Sequence, residues 1–384
     1  MMKPISYGRQ NITNEDIEAV VNVLNGDYLT QGPSIELFER AFANYIGAKY
    51  AIAVSNGTAA LHLCALALNV NEKSKVITSP ITFAASANCI RYCNGEVHFV
   101  DINPDTFTID TKKLNQLIES KPKGYFDGII PVDFAGFPVN MEEIKEIAAE
   151  NNLWIIEDAC HAPGAKFISK NNVKHNSGNG EFADLAIFSF HPVKHIATGE
   201  GGMITTNNKE LYDRLNILRT HGITKNPDIL LENHGGWYYE MQELGYNYRL
   251  TDFQAALGIN QLKRAEEGIR RRNEIAEKYF NELGGLPITL PKQFENYEHA
   301  YHLFIIQTDR RKELYDFLKK ASIFTQVHYI PVHLMPYYKN LGWEKGDFPV
   351  SENYYNKCLS LPMYPSLTEQ EQEYVIEQIK IFFN

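Results

Sequence analysis

The chain has 384 residues, of which 44% are hydrophobic and 22% charged, and a formal net charge of −10. That is roughly two or three domains' worth of sequence with ample apolar material for a large core, and the acidic balance without any basic run argues against nucleic acid as a partner. No apolar stretch is long enough to span a bilayer, and the opening residues Met1 to Tyr7 lack the charged-then-apolar plan of a secretion signal, so a cytoplasmic location without a membrane partner is expected.

Residues 14–25 and 34–46 carry apolar positions at helical spacing, with Thr13 and Ser34 as candidate N-caps and Gly47 as a stop. Strands and helices then alternate: strands at 50–54, 75–78, 96–100, 128–132 and 153–157, helices at 58–68, 83–92, 111–119 and 141–150. Near-continuous apolar strands separated by amphipathic helices predict an α/β fold, a mostly parallel central sheet with helices on both faces and ligands at the carboxyl ends of the strands. Two closely spaced apolar runs, 182–190 and 201–206, read as neighbouring strands that complete this sheet. The polar and aromatic stretch 225–247 has no period and reads as a long functional or interfacial connection. From Asp252 a helix is expected to run to about Leu283, its Lys/Arg/Glu-rich later half bridging to a smaller C-terminal α+β unit. The expected division is a large domain over 1–255, with an amino-terminal arm, and a small domain over 256–384.

Five cysteines, Cys64, Cys89, Cys93, Cys160 and Cys358, are odd in number and mostly lie in apolar periodic segments, which suits reduced core thiols. Cys89 and Cys93 have no matching Cys/His pair elsewhere, so no metal site is expected.

Four short segments fall at carboxyl ends of expected strands. In Ser55-Asn56-Gly57-Thr58-Ala59-Ala60, Gly57 permits close backbone approach and the helix start, with the Thr58 hydroxyl, suits a phosphate; an ordinary capped helix is the alternative. In Pro80-Ile81-Thr82-Phe83-Ala84-Ala85-Ser86, Phe83 follows a strand, where its ring can stack on a planar ligand or simply fill the core. In Ile155-Ile156-Glu157-Asp158-Ala159-Cys160-His161, alternation sends Glu157 and Asp158 to opposite sides of the strand. Two carboxylates at a buried strand end need cationic partners, a structural salt bridge or, for Asp158, a pyridinium nitrogen; His161 would lie near that ring or its phenolic oxygen. In Ser189-Phe190-His191-Pro192-Val193-Lys194, continuing through Gly199-Glu200-Gly201-Gly202, an apolar stretch delivers one amine into a Gly- and hydroxyl-rich loop. An amine in a partly desolvated pocket can attack a carbonyl at neutral pH, whereas a solvated loop lysine stays protonated. Helix dipole, aromatic face, carboxylate, the Ser189 hydroxyl and the Lys194 amine jointly match pyridoxal 5'-phosphate.

The order Ser-Asn-Gly-Thr, Thr-Phe, Glu-Asp-Ala-x-His, Ser-Phe-His-x-x-Lys and Gly-Glu-Gly-Gly resembles the DegT/DnrJ/EryC1/StrS sugar-nucleotide aminotransferases over essentially the whole chain. The later runs Leu218-Arg219-Thr220-His221-Gly222 and Gly245-Tyr246-Asn247-Tyr248-Arg249-Leu250-Thr251-Asp252 agree. The resemblance implies a fold-type-I PLP-dependent transferase, active as a homodimer with shared active sites. It implies Lys194 as the Schiff-base lysine, Asp158 as the ring-nitrogen partner, Phe83 as the stacking ring, Gly57, Thr58 and Ser189 at the phosphate, and Asn247 reaching the neighbouring subunit's site. Within the family, Leu29-Thr30-Gln31-Gly32-Pro33, Trp237-Tyr238-Tyr239-Glu240 and Gln326-Val327-His328-Tyr329 look like the C4-aminotransferases of pseudaminic acid biosynthesis. That likeness implies a UDP-linked 4-keto-6-deoxy sugar as substrate and L-glutamate as donor, with Tyr7, Asp27, Tyr28, Leu29, Thr30, Gln326, Val327, His328 and Tyr329 lining the sugar-nucleotide site. C4-aminotransferases of other UDP-4-keto sugars are the near alternative. Sugar dehydratases on the same scaffold replace the lysine with histidine, whereas position 194 is Lys, and a noncatalytic regulatory homologue would not need Lys194, Asp158 and the phosphate cradle together.

Overall fold

A computed structural model describes residues 3–384; Met1 and Met2, part of the run read for a targeting signal, lie outside the described residues. Strand β1 (Ile5–Ser6) precedes helices α1 (Asn14–Leu24) and α2 (Pro33–Ile46). Thr13 caps α1 in a reciprocal box with Asp16. The start of α2 departs from expectation: Gly32, not Ser34, is the N-cap, and Pro33 takes the first helical position. Because glycine has no side chain to accept the orphan amides, a distant carboxylate does so. Asp252 accepts from the N–H of Gly32 at 2.8 Å and of Ser34 at 3.0 Å.

Strands β2 (Tyr50–Val54), β3 (Lys75–Thr78), β4 (Glu96–Phe99), β5 (Gly128–Ile130) and β6 (Trp154–Asp158) alternate with α3 (Gly57–Ala67), α4 (Ala85–Tyr92), α5 (Thr111–Glu119) and α6 (Met141–Asn151). An excursion through β7 (Lys166–Ile168) and β8 (Lys174–Asn176) leads to β9 (Leu185–Ser189) and β10 (Gly202–Thr206). Seven strands form one sheet in the order β2-β10-β9-β6-β5-β3-β4. From β9 to β4 neighbours run parallel, whereas β10 is antiparallel to both β9 and β2. Strand β2 therefore opens the alternating pattern in sequence but closes the opposite edge of the sheet. Both faces are covered: Ile52 and Val54 join the cluster of Leu61, Leu63 and Ile90, while Ala51 and Ala53 pack with Phe38 and Phe42 of α2.

Helix α7 (Lys209–Arg219) is followed by a short antiparallel pair, β11 (Ile223–Thr224) just before the 225–247 stretch and β12 (Glu240–Met241) within it. The expected continuous helix after Asp252 is two, α8 (Asp252–Leu262) and α9 (Ala265–Leu283), because Arg264 leaves the helical basin at φ −110°, ψ 7°. Its guanidinium turns instead to Asp16, 2.5 Å away, a buried carboxylate that also accepts from Asn260 and Gln261. A buried charge on α1 thus pins α8 and breaks the helix.

The remaining elements are β13 (Tyr297–Glu298), β14 (Phe304–Gln307), α10 (Arg311–Lys320), β15 (Ile323–Phe324), α11 (Pro336–Lys339), α12 (Pro349–Lys357), β16 (Cys358–Leu361) and α13 (Glu369–Phe383). Strand β14 pairs with β16 beside a core built from Tyr279, Phe304, Leu314 and Val375. Ile5 joins that core, because β1 pairs in parallel with β15, and the arm continues through Tyr7, whose carbonyl accepts from Met363 N–H. Among the described residues no helix is long and apolar enough to cross a membrane. Replacing Asp252 by alanine strands two amides at the start of α2 and should cost about 1–3 kcal/mol; a thermal scan of Asp252→Ala should show a clear drop in Tm with the secondary-structure content retained.

Candidate active site

The antiparallel turn from β9 into β10 forms a closed loop, since Phe190 N–H donates to Gly201 O and Thr198 N–H to Phe190 O. Phe190, Ile196 and Ala197 are buried beneath it, and Gly199 takes the left-handed φ of 83° that the return requires. Lys194 is carried at the top, its Nζ 3.5 Å from His302 Nε2. Burial brings its amine down from the usual 10.5 to about 8; Cys160 and Asp158 pull the other way and Arg272 adds to the lowering.

Asp158 ends β6, one parallel strand away from the Lys194 loop. Its Oδ2 accepts from Ser86 Oγ at 2.6 Å, and Ser86 Oγ lies 2.7 Å from Thr82 Oγ1. Its Oδ1 accepts from Cys160 N–H at 3.2 Å. Glu157 points to the opposite face, where it accepts from Gly178 N–H at 2.9 Å. Burial raises the proton affinity of Glu157, and the charge of Asp133 beside it adds to that, while burial brings Asp133 itself up to about 7 against the hydrogen bonds it shares with Val139, Ser177 and Glu157. The adjacent carboxyls thus have separate environments: Asp158 is gripped by hydroxyl and amide donors, while burial shifts Glu157 and Asp133 behind it toward their protonated forms.

At the start of α3, Asn56 caps the helix by accepting from Ala59 N–H at 2.8 Å, and the Gly57 and Thr58 amides belong to the open first turn. A Cβ on Gly57 would come to 3.1 Å from Ser189 Cβ and 3.5 Å from Cys160 Sγ, so Gly57, Ser189 and Cys160 converge from three elements. Phe83 is 61% exposed, which excludes the core alternative, and its ring centroid lies 6.2 Å from that of Tyr329. His161 is buried with both ring nitrogens engaged inside the chain: Nδ1 accepts from Ala135 N–H, and Nε2 lies 3.2 Å from Tyr329 Oη.

Tyr7, His328 and Tyr329 come together, with Tyr7 and His328 ring centroids 5.1 Å apart and His328 Nδ1 2.8 Å from Ser360 Oγ. Val327 packs against the carboxy-terminal core and Gln326 is exposed. Asp27, Tyr28, Leu29 and Thr30 are exposed; Leu29 O accepts from Asp252 N–H at the start of α8, and Thr30 is bridged to Thr251. Asn247 is likewise exposed, bridged through its backbone to Thr220. Sequence reasoning missed Ser86, His302 and Arg272. Ser86 had a signal, since it stands one helical turn after Thr82 in a segment already singled out; His302 and Arg272 reach the site only through tertiary packing.

These residues fit pyridoxal phosphate. The amine of lowered proton affinity suits its aldehyde, the donor-gripped carboxylate its ring nitrogen, the exposed aromatic face its ring, and the glycine and hydroxyl cradle at the start of α3 its phosphate.

The DegT/DnrJ/EryC1/StrS aminotransferase family matches residues 10–380 of the chain. The UDP-4-amino-4,6-dideoxy-N-acetyl-beta-L-altrosamine transaminase of Campylobacter jejuni is 38% identical over 381 residues, spanning 97% of this chain and 95% of that one. Helicobacter pylori PseC, an aminotransferase involved in pseudoaminic acid biosynthesis, has a solved structure similar at a TM-score of 0.89 and 29% identity over 99% of each chain. Spr1654 of Streptococcus pneumoniae, solved in its PLP form, gives a TM-score of 0.90 at 28% identity over 99% of this chain and 98% of that one. The chain belongs to the DegT/DnrJ/EryC1/StrS aminotransferase family and has the fold of its pyridoxal phosphate-dependent enzymes.

Proposed function

We propose that the protein is the C4-aminotransferase that converts UDP-2-acetamido-2,6-dideoxy-L-arabino-hex-4-ulose and L-glutamate into UDP-4-amino-4,6-dideoxy-N-acetyl-β-L-altrosamine and 2-oxoglutarate, a step of pseudaminic acid biosynthesis in the cytoplasm. The observation that carries an amine-transfer reading is the partly buried Lys194 amine, lowered to about 8, on the strand turn next to the donor-gripped Asp158. The finer assignment of the sugar is supported by the likeness to the Campylobacter jejuni and Helicobacter pylori enzymes.

When bound, pyridoxal phosphate supplies an aldehyde that exchanges amines and a ring that takes up electrons. Lys194 Nζ, its proton affinity lowered to about 8 by burial, takes a proton from the α-carbon of glutamate and in the second stage returns one to C4 of the sugar. Asp158 would face the ring nitrogen, with the Ser86 hydroxyl and Cys160 N–H donating to its two oxygens and holding it in place. The Gly57 and Thr58 amides with Ser189 hold the phosphate, and Phe83 and His161 flank the ring. Tyr7 and residues Gln326 to Tyr329 line the sugar-nucleotide side, and Asp27 to Thr30 join them across the subunit boundary of a homodimer, to which Asn247 also contributes. Three large side chains of the irregular connection support that dimer by their exposure: Leu231 at 88%, Trp237 at 75% and Leu244 at 76%.

The purified protein should be yellow, should bleach with L-glutamate and should recover its colour with the keto-sugar. Lys194→Ala should abolish both the chromophore and turnover, whereas Asp158→Asn should bind the cofactor yet lose turnover by about 10²-fold or more. A colourless protein with no affinity for the cofactor contradicts the reading. Mass and NMR analysis of products from a panel of UDP-keto sugars tests the finer assignment; preferential amination of a D-xylo 4-keto hexose or a 4-keto pentose would replace it.

A further inference from the structure

The turn that holds His161 is strained. Ala135, a buried residue with a Cβ, sits at φ 60°, ψ 0°, in the left-handed region that normally favours glycine. In that conformation its N–H points into the ring of His161 and donates to Nδ1 at 3.2 Å. The turn is locked from behind, since Ala135 O accepts from Leu303 N–H and Gly136 O from Ala300 N–H. A Cβ on Gly136 would come to 2.9 Å from His161 O, so the turn and the histidine are fitted to each other.

A nitrogen that accepts a backbone N–H carries no proton of its own. Burial keeps the His161 ring neutral, with nearby Lys194 acting in the same direction, so its single proton sits on Nε2. That nitrogen lies 3.2 Å from Tyr329 Oη, which must then accept the bond. The phenol stays protonated, because burial raises it above its usual range and Tyr7 and Asp158 oppose a further negative charge. Its own proton is therefore directed away from His161, and among the described residues it has no acceptor within the chain. The Tyr329 ring stands beside the exposed ring of Phe83, and His161 lies against His302, which contacts the Lys194 amine.

We propose that Tyr329 is a hydrogen-bond donor to a ligand oxygen that can only accept, the keto oxygen of the sugar or the phenolic oxygen of the cofactor, and that His161 is the positioning residue that aims it. This rests on the aminotransferase reading. A donor of fixed sense discriminates: it suits a carbonyl oxygen and opposes the ammonium group of an amino-sugar product.

The tautomer is tested without activity. In cofactor-free protein with ¹⁵N-labelled histidine, the signal lost in a His161 variant should show Nδ1 bare and Nε2 protonated throughout about pH 6 to 9. An Nδ1–H tautomer, or titration at the ordinary histidine value, overturns the proposal. Tyr329→Phe, which removes only the oxygen, should slow the holoenzyme by about 10²-fold, in kcat more than in KM. If the acceptor is the keto oxygen, the glutamate half-reaction and the resting absorbance stay unchanged and only amination of the sugar slows. If it is the phenolic oxygen, the absorbance maximum shifts before any substrate is added. Wild-type rates and spectrum in Tyr329→Phe overturn the proposal. His161→Gln, whose amide replaces Nε2, should retain more activity than His161→Asn, whose amide replaces Nδ1; equal losses remove the aiming role. A wild-type protein inert to glutamate refutes the aminotransferase reading itself, while the NMR result stands independently.

Discussion

Moving an amine out of water favours its neutral form, and the architecture around Lys194 is arranged to sustain that transfer. The loop that carries it is braced by paired backbone at both ends and floored by Phe190 and Ile196. Behind it lies Arg272, itself fully buried, whose Nη1 is held by the carbonyls of Tyr301, His302 and Met363 rather than by a carboxylate. Burial lowers even this guanidinium to about 9, and its positive charge adds to the depression of Lys194 and His302. A cation without an acidic partner is costly. Here it holds three carbonyls in place and disfavours a second positive charge at the reactive amine.

The sheet supplies the complementary charge by simple alternation. Ile156 and Asp158 share one face of β6, so Asp158 looks toward Ser86 and the start of α4, while Glu157 looks toward Gly178 and Asp133 on the other face. One strand therefore presents a carboxylate supplied with donors to the site and a proton-retaining carboxyl to the interior. The parallel neighbours β6 and β9 then set Asp158 and Ser189 at adjacent strand ends, and Gly57 lets α3 close on Ser189 and Cys160. Ligands gather at such carboxyl ends because helix starts and strand ends meet there.

What could be read from the sequence follows from locality. The alternating strands, the two neighbouring strands around Lys194 and the opposite orientations of Glu157 and Asp158 are properties of short windows, and period and turn chemistry exposed them, whereas the antiparallel sense of those two strands appears only in their pairing. Local sequence points to Ser34 as the cap of α2, whereas the true acceptor, Asp252, lies 220 residues away from Gly32. The break at Arg264 was invisible because it answers to Asp16 on another helix. The same limit hid the partners of the site: His302 reaches Lys194, and Tyr329 reaches His161, across 108 and 168 residues. Charge, strain and tautomer belong to those tertiary contacts, so no motif announces them.

Lys194, lowered to about 8, is far more readily deprotonated near physiological pH than an ordinary lysine, and the pH dependence of cofactor capture tests this most directly. In cofactor-free protein, the rate at which added pyridoxal phosphate forms its bound chromophore should follow the unprotonated fraction of Lys194. With the amine at about 8, the rate should rise up to that pH and level off above it, since below it the proton blocks attack. A rate that keeps climbing toward the ordinary lysine value of 10.5 would mean a solvated, charged side chain and would contradict the account.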